Sequence, residues 1–375
     1  MSLATASHTG FAAALLKVVP PDARGNVVVS PWSVSSALAV LAAGVDDPAR
    51  REIEDALAAG VGQGDVVGVL AADASRLVET AESEDDSVLE VVNRLWVDTG
   101  STPRSEFLDQ LGRWPGASVA RSPMATEPEA ARRLINDDAA EVTRGLIEEV
   151  LPAGSLTHDD RAVIVNALYL LVAWTEPFSE ETTADEPFHA PTGTQKVPTL
   201  RGLREAVYAH DDWEYVALPL WLGLRVEILL PPTGTAPDAV ALEPARLDRL
   251  RAGAVTHRVQ LHLPRFRLET SADLLPPLKA VGISRIFEKL ALTGVVAEEH
   301  LYISGAFHGA VLRLDEQGIE GAAVTALVGR AIAYQPLPEV EVRVDRPFVL
   351  VVTHPATGVV LFAARLLEIA PSMRT

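Results

Sequence analysis

The side chains that could do chemistry in this 375-residue chain are its nine histidines and its serines, for it contains no cysteine. Four of the histidines, His257, His262, His300 and His308, lie near one another in the chain and raise the question of a metal site. None has a second histidine one helical turn away or a carboxylate at a recognisable ligand spacing. His257 and His262 would fall on opposite faces of a strand. They read as structural histidines, and no metal is expected. No G-x-S-x-G elbow, H-E-x-x-H pair, Walker loop or G-x-G-x-x-G opening a helix occurs either. An enzyme reading therefore has no positive support, and no cofactor is expected.

The elements available to position such groups fall into two halves. The first half reads mainly as helix: Phe11 to Val19, a stretch opened by Ser30-Pro31 as cap and first helical residue, segments 47–60 and 64–81, and Glu127 to Val150. A strand candidate, Val88 to Val97, interrupts it. The second half reads mainly as strand. AVIVNALYLLVA, Ala162 to Ala173, is almost unbroken apolar sequence, as expected of a strand buried on both faces. Leu224 to Leu230 is another, Thr256 to Leu263 and Glu339 to Val344 alternate, and Phe348 to Thr353 and Val359 to Ala363 flank a hairpin turn at 354–358. Helices first and strands later, without regular alternation, predict an α+β fold.

With 48% hydrophobic residues the chain can bury a large core, as one big domain or two ordinary ones. A formal charge of -19 argues against nucleic acid or anionic membrane as partner. No run of about 18 uncharged apolar residues predicts a membrane span. The N-terminus has no basic residues ahead of its apolar stretch, and Lys17 interrupts that stretch. The expectation is a soluble cytoplasmic protein, secreted if a leader has been removed.

One segment fits neither helix nor strand. GIEGAAVTALVGRAIA, Gly318 to Ala333, is rich in small residues, lacks caps and strong alternation, and is followed by Pro336 and Pro338. It reads as a flexible connection or as a functional loop.

Several segments, in order, resemble the serpin family. Asn26-Val-Val-Val-Ser30-Pro31-Trp-Ser33 resembles its N-x-x-x-S-P-x-S signature. Asn136 with Thr143-Arg-Gly145 resembles the helix crossing the main sheet, although Asp137 stands where a tryptophan is usual. Asn166-Ala-Leu-Tyr169 with Trp174 and Phe178, Val197-Pro198, and Leu263-Pro-Arg-Phe266 follow. Asp315-Glu316-Gln-Gly318 resembles the hinge, and Asp345-Arg-Pro-Phe348 with Leu361-Phe362 the C-terminal strands. The resemblance covers roughly residues 10–370. It implies a single domain over 1–375 with three sheets, about nine helices and an exposed reactive-centre loop at about 316–338.

The resemblance further implies a monomeric suicide-substrate inhibitor of a serine protease, whose cleaved loop enters the main sheet. The hinge would comprise Glu316, Gly318, Ile319, Glu320, Gly321, Ala322, Ala323, Val324 and Thr325. Ile319, Gly321, Ala323, Thr325 and Leu327 would turn inward, none of them charged. Ile319 and Gly321 depart from the family's usual residues, so slower entry at Ile319 is expected. Ser30, Ser33, Asn166 and His308 would form the hydrogen-bonded latch of the sheet, with Trp174 under the point of entry. Hinge length places the cleaved bond at Ile332–Ala333, which suits an elastase-like or subtilisin-like pocket. Arg330 would suit a trypsin-like enzyme and Tyr334 a chymotrypsin-like one. The alternative reading is a non-inhibitory serpin acting as a binding or chaperone module.

Overall fold

The computed structural model describes residues 3–57, 87–112, 114, 116–237, 242–289, 291–297, 301–319 and 337–370. Two β-sheets organise them. The six-stranded sheet has the order β3 (Ala117–Ser122), β2 (Val88–Asp98), β4 (Ala162–Ala173), β12 (Gly318–Ile319), β11 (Gly305–Leu314) and β10 (Phe266–Asp273). β4 is buried along almost its whole length, as its unbroken apolar run requires.

The second sheet runs β1 (Val27–Val29), β15 (Val359–Leu366), β14 (Phe348–His354), β8 (Arg225–Leu230), β7 (Glu214–Pro219), β6 (Gly193–His210), β9 (Val255–Pro264) and β13 (Glu339–Arg343), with β5 (Ala184–Ala190) also on β6. Two sheets thus stand where three were expected. The 18-residue β6 is the reason. It pairs with β5 over 193–199, with β9 over 199–208 and with β7 over 207–210, carrying one ladder across what would otherwise be a break.

Seven α-helices lie among the described residues, against about nine expected; the helical reading of 64–81 falls outside them. α1 (Leu3–Val18), α2 (Pro31–Ala42) and α3 (Asp47–Leu57) come first. Every residue of α2 is buried, and Ser30 caps it with Pro31 at the first helical position. α4 (Ser105–Leu111) and α5 (Pro128–Val142) follow, then α6 (Pro244–Gly253) and α7 (Leu275–Ala280). α5 stops at Val142 and does not reach Val150 as the periodicity predicted. Arg144 at φ 52° and Gly145 at φ 81° are left-handed and end the helix.

Among the described residues, three apolar clusters fill the interior. One sits between α5 and the six-stranded sheet, built from Ile135, Ala139, Ile147, Val163, Val165 and Phe307 with their neighbours. The other two lie around the buried α2 and between the two sheets.

Candidate functional site

The centre of the six-stranded sheet holds a parallel pair that is open at one end. β4 and β11 pair directly from Val163↔Gly305 to Leu168↔Ala310. Beyond that point they part, and β12 fills the gap, antiparallel to both: Gly318 and Ile319 pair with Ala173 and Val172, and Ile319 with Leu314. The chain therefore leaves β11, turns at Asp315–Gln317 and starts back down between the two strands. The Asp315 carboxylate accepts the Gln317 amide at 2.9 Å, and its own amide donates to the Gly318 carbonyl at 3.0 Å. Gly318 sits at φ 150°, where a Cβ would lie 2.3 Å from the Val172 carbonyl oxygen. No other residue fits there.

Glu316 and Trp174 hold this turn. The Glu316 carbonyl accepts the Phe178 amide at 2.8 Å. Its carboxylate accepts the Thr183 hydroxyl at 2.8 Å and faces Arg265 at 3.6 Å. Trp174 donates its backbone amide to Gln317 and its indole N–H to Asp315, both at 2.9 Å. Its ring meets Phe178 edge-on at 5.8 Å. Arg204 stacks 4.0 Å over Phe178 and donates to the carbonyls of Glu176 and Pro177.

Of the residues expected to form the hinge, Glu316, Gly318 and Ile319 lie among the described residues. Glu320, Gly321, Ala322, Ala323, Val324 and Thr325 lie outside the described residues, as do Leu327, the Ile332–Ala333 bond, Arg330 and Tyr334. Ile319 departs from the expectation of a slow-entering residue: it is 1% exposed and already paired in the sheet. Its burial already contributes to the stability of the chain as it stands.

Below the gap, Ser30, Ser33, Asn166 and His308 come together from three elements. Asn166 stands in register with Asn93 on β2 and His308 on β11. Its amide nitrogen donates to Ser33 Oγ at 2.6 Å, and its oxygen lies 2.7 Å from His308 Nδ1. The Ser30 backbone amide donates to His308 Nε2 at 3.1 Å, while Ser30 Oγ accepts the Ser33 amide at 3.2 Å. Ser30 is thus helix cap and cluster member at once. These contacts assign the tautomer, with Nδ1 donating to Asn166 and Nε2 accepting from Ser30. Burial holds the His308 imidazole down to about 4, against 6.5 for a free histidine. All four residues are at most 2% exposed. The ring nitrogen facing Ser30 is occupied by a backbone amide and no substrate can reach it, so the serine–histidine–asparagine set is no catalytic triad.

The chain after α5 crosses the face of this slot. Asn136 accepts the amides of Val150 and Leu151 at 3.1 and 2.9 Å and donates to the Leu151 carbonyl. Ile147 and Val150 rest on Gly309 of β11, where a Cβ would meet the Ile147 side chain at 2.9 Å. Ser271 of β10 binds the carbonyls of Glu149 and Val150.

Sequence reasoning missed Asn93, whose side-chain amide meets that of Asn166 at 2.5 Å. Its signal was the same as for Asn166: an amide within an apolar strand. It also missed the carboxylate partner of His262, which is Glu186 on β5, 76 residues away in the chain. Among the described residues no group of histidine and carboxylate side chains is arranged to hold a metal ion.

A parallel pair is thus opened at one end by the start of an antiparallel strand, above a buried cluster of Ser30, Ser33, Asn166 and His308. The family model for serpins, serine protease inhibitors, matches residues 6–369, and the chain belongs to that family. It is 28% identical to a serine protease inhibitor of Cyanea capillata over 93% of this chain and 94% of that one. It is 29% identical to the leukocyte elastase inhibitor of Sus scrofa over 98% and 99%. Among solved structures, the thermophilic serpin tengpin in its native state superposes with a TM-score of 0.83 at 20% identity, covering 97% of this chain and 94% of that one. The fold class is α+β of the serpin type, and these curated relatives are named as protease inhibitors.

Proposed function

We propose that this protein inhibits serine proteases as a suicide substrate, as a single domain and a monomer. The segment from Glu316 to about Pro338 is the bait, and cleavage frees it to continue the path that β12 has begun. The observation that carries the reading is the β4–β12–β11 geometry. Each further residue that follows Ile319 down the gap replaces part of a parallel pairing by antiparallel pairing on both sides, which is the more stable ladder. The uncut chain is therefore held above a lower-energy state by a barrier. The latch and the strap after α5 are the contacts that must yield first.

The proposed bond is Ile332–Ala333, with an elastase-like or subtilisin-like protease as target; the name of the leukocyte elastase inhibitor relative supports that class. Arg330 and Tyr334 remain the alternatives. The test is incubation with elastase-like, subtilisin-like and trypsin-like enzymes, followed by denaturing electrophoresis and mass spectrometry. The expected result is an SDS-resistant complex and a released C-terminal peptide beginning at Ala333. Cleavage in the loop with neither complex nor rise in melting temperature would refute the trap and favour a binding module.

A further inference from the structure

β6 carries a cation that is almost wholly buried. Arg204 is 8% exposed, and burial pulls its guanidinium below the usual arginine range. The Glu176 carboxylate, 3.6 Å away, is itself mostly exposed and does little to offset that burial. A buried cation is costly unless it is paired or hydrogen-bonded, and a leucine would fill the space without that cost. What Arg204 gains lies on the carbonyl side. Apart from a single bridge at Trp174, residues 174–179 belong to no helix or strand, so their carbonyls need donors from elsewhere. Arg204 Nη1 donates to the Glu176 carbonyl and Nη2 to the Pro177 carbonyl, both at 2.6 Å. The guanidinium also lies 4.0 Å from the centre of the Phe178 ring. Nε has no partner among the described residues, so the two terminal nitrogens carry the whole hold.

Phe178 passes this hold to the place where β12 begins. Its amide donates to the Glu316 carbonyl at 2.8 Å. Its ring meets Trp174, whose amide and indole donate to Gln317 and Asp315. Arg204 therefore stands two contacts from the turn at Asp315–Gln317 and ties β6 of one sheet to the hinge of the other. Gly202 makes room for it. Two residues earlier on the same face of β6, a Cβ at Gly202 would lie 3.2 Å from Arg204 Nε and 3.5 Å from the Phe178 ring.

We infer that Arg204 is a positioning residue for trapping: it fixes the Glu176–Phe178 turn so that β12 is in place when the bait is cut. This rests on the trap reading above. The physical reason is preorganisation. With the first rung of the new strand formed beforehand, the freed segment has only to propagate. A loosened first rung must form again while the protease completes hydrolysis. Loss of Arg204 thus shifts the outcome from trapping towards turnover, and it acts through Phe178 and Glu316.

The test uses the full chain with Arg204→Met, Arg204→Ala and Gly202→Val, the last displacing the guanidinium without removing it. Hydrogen exchange at the Trp174 and Phe178 amides of the uncut chain should rise about tenfold or more in all three, the scale of one hydrogen bond to a charged group. Exchange in β14 should stay as in wild type. The stoichiometry of inhibition, against an enzyme that wild type traps, should rise severalfold. Free guanidinium ion, far below denaturing concentrations, should refill the vacated space in Arg204→Ala and restore both readings. It should do nothing for Arg204→Met, whose side chain occupies that space, and a merely structural loss would not respond to it. Unchanged exchange at Trp174 and Phe178 in Arg204→Met and Gly202→Val would overturn the hold. Faster exchange with an unchanged stoichiometry would overturn its role in trapping. A wild type that traps no protease overturns the earlier reading and the trapping role together, while exchange and rescue still decide whether Arg204 holds the turn.

Discussion

Acid should loosen the centre of the six-stranded sheet through His308. Burial holds this imidazole neutral, at about 4 in the folded chain against 6.5 for a free histidine. Below pH 6.5 the unfolded chain takes up a proton that the folded chain refuses. The stability due to neutral His308 is therefore complete above about pH 6.5 and is lost as pH falls towards 4. The shift corresponds to about 3 kcal/mol at most, with a slope of about 1.4 kcal/mol per pH unit inside the window. Protonation also has a local consequence. A proton on Nε2 would face the Ser30 amide, which now donates to that nitrogen at 3.1 Å, and would break the link between α2 and β11. His8 behaves alike: it is buried, is lowered to about 4, and accepts the Val360 amide at 2.9 Å. Urea unfolding of wild type, His308→Gln and His8→Gln at pH 7.5, 5.5 and 4.5 separates the two. Each variant should lose some stability at pH 7.5 but show a shallower fall with acid than wild type. If His308→Gln fell as steeply as wild type, the assignment of the titrating group would be wrong.

Gly318→Ala should strain the hinge, because φ 150° and a Cβ 2.3 Å from the Val172 carbonyl cannot both persist. A cost of roughly 1–3 kcal/mol should appear as a lower melting temperature, and proteolysis near residue 318 should become faster. Thr325→Arg tests entry at an expected inward position that lies outside the described residues. A charge at an inward position costs several kcal/mol in the sheet, so the variant should melt like wild type before cleavage yet be turned over as substrate, shown by a stoichiometry of inhibition well above wild type. Ile319→Arg is the poorer test, since Ile319 is already buried in the intact chain.

Much of this protein was legible in the order of its amino acids. The apolar run Ala162–Ala173 fixed a doubly buried strand, and Ser30-Pro31 a capped helix, because burial pattern and capping are local chemistry. Asn166 announced itself, since an amide in such a strand needs partners. What those partners were, only the tertiary structure decided. His308 follows Asn166 by 142 residues, and only the parallel register of β4 and β11 sets them side by side. The left-handed Arg144 cut short a helix that periodicity alone would have extended, and the long β6 merged two sheets into one. Ile319 read as a residue waiting to enter, because nothing local tells how far a strand has already gone in. His262 read as a histidine without a carboxylate partner for the same reason. Its carboxylates come from β5 and β13, elements distant in the chain, and charge pairing across strands is written in the fold, not in the spacing.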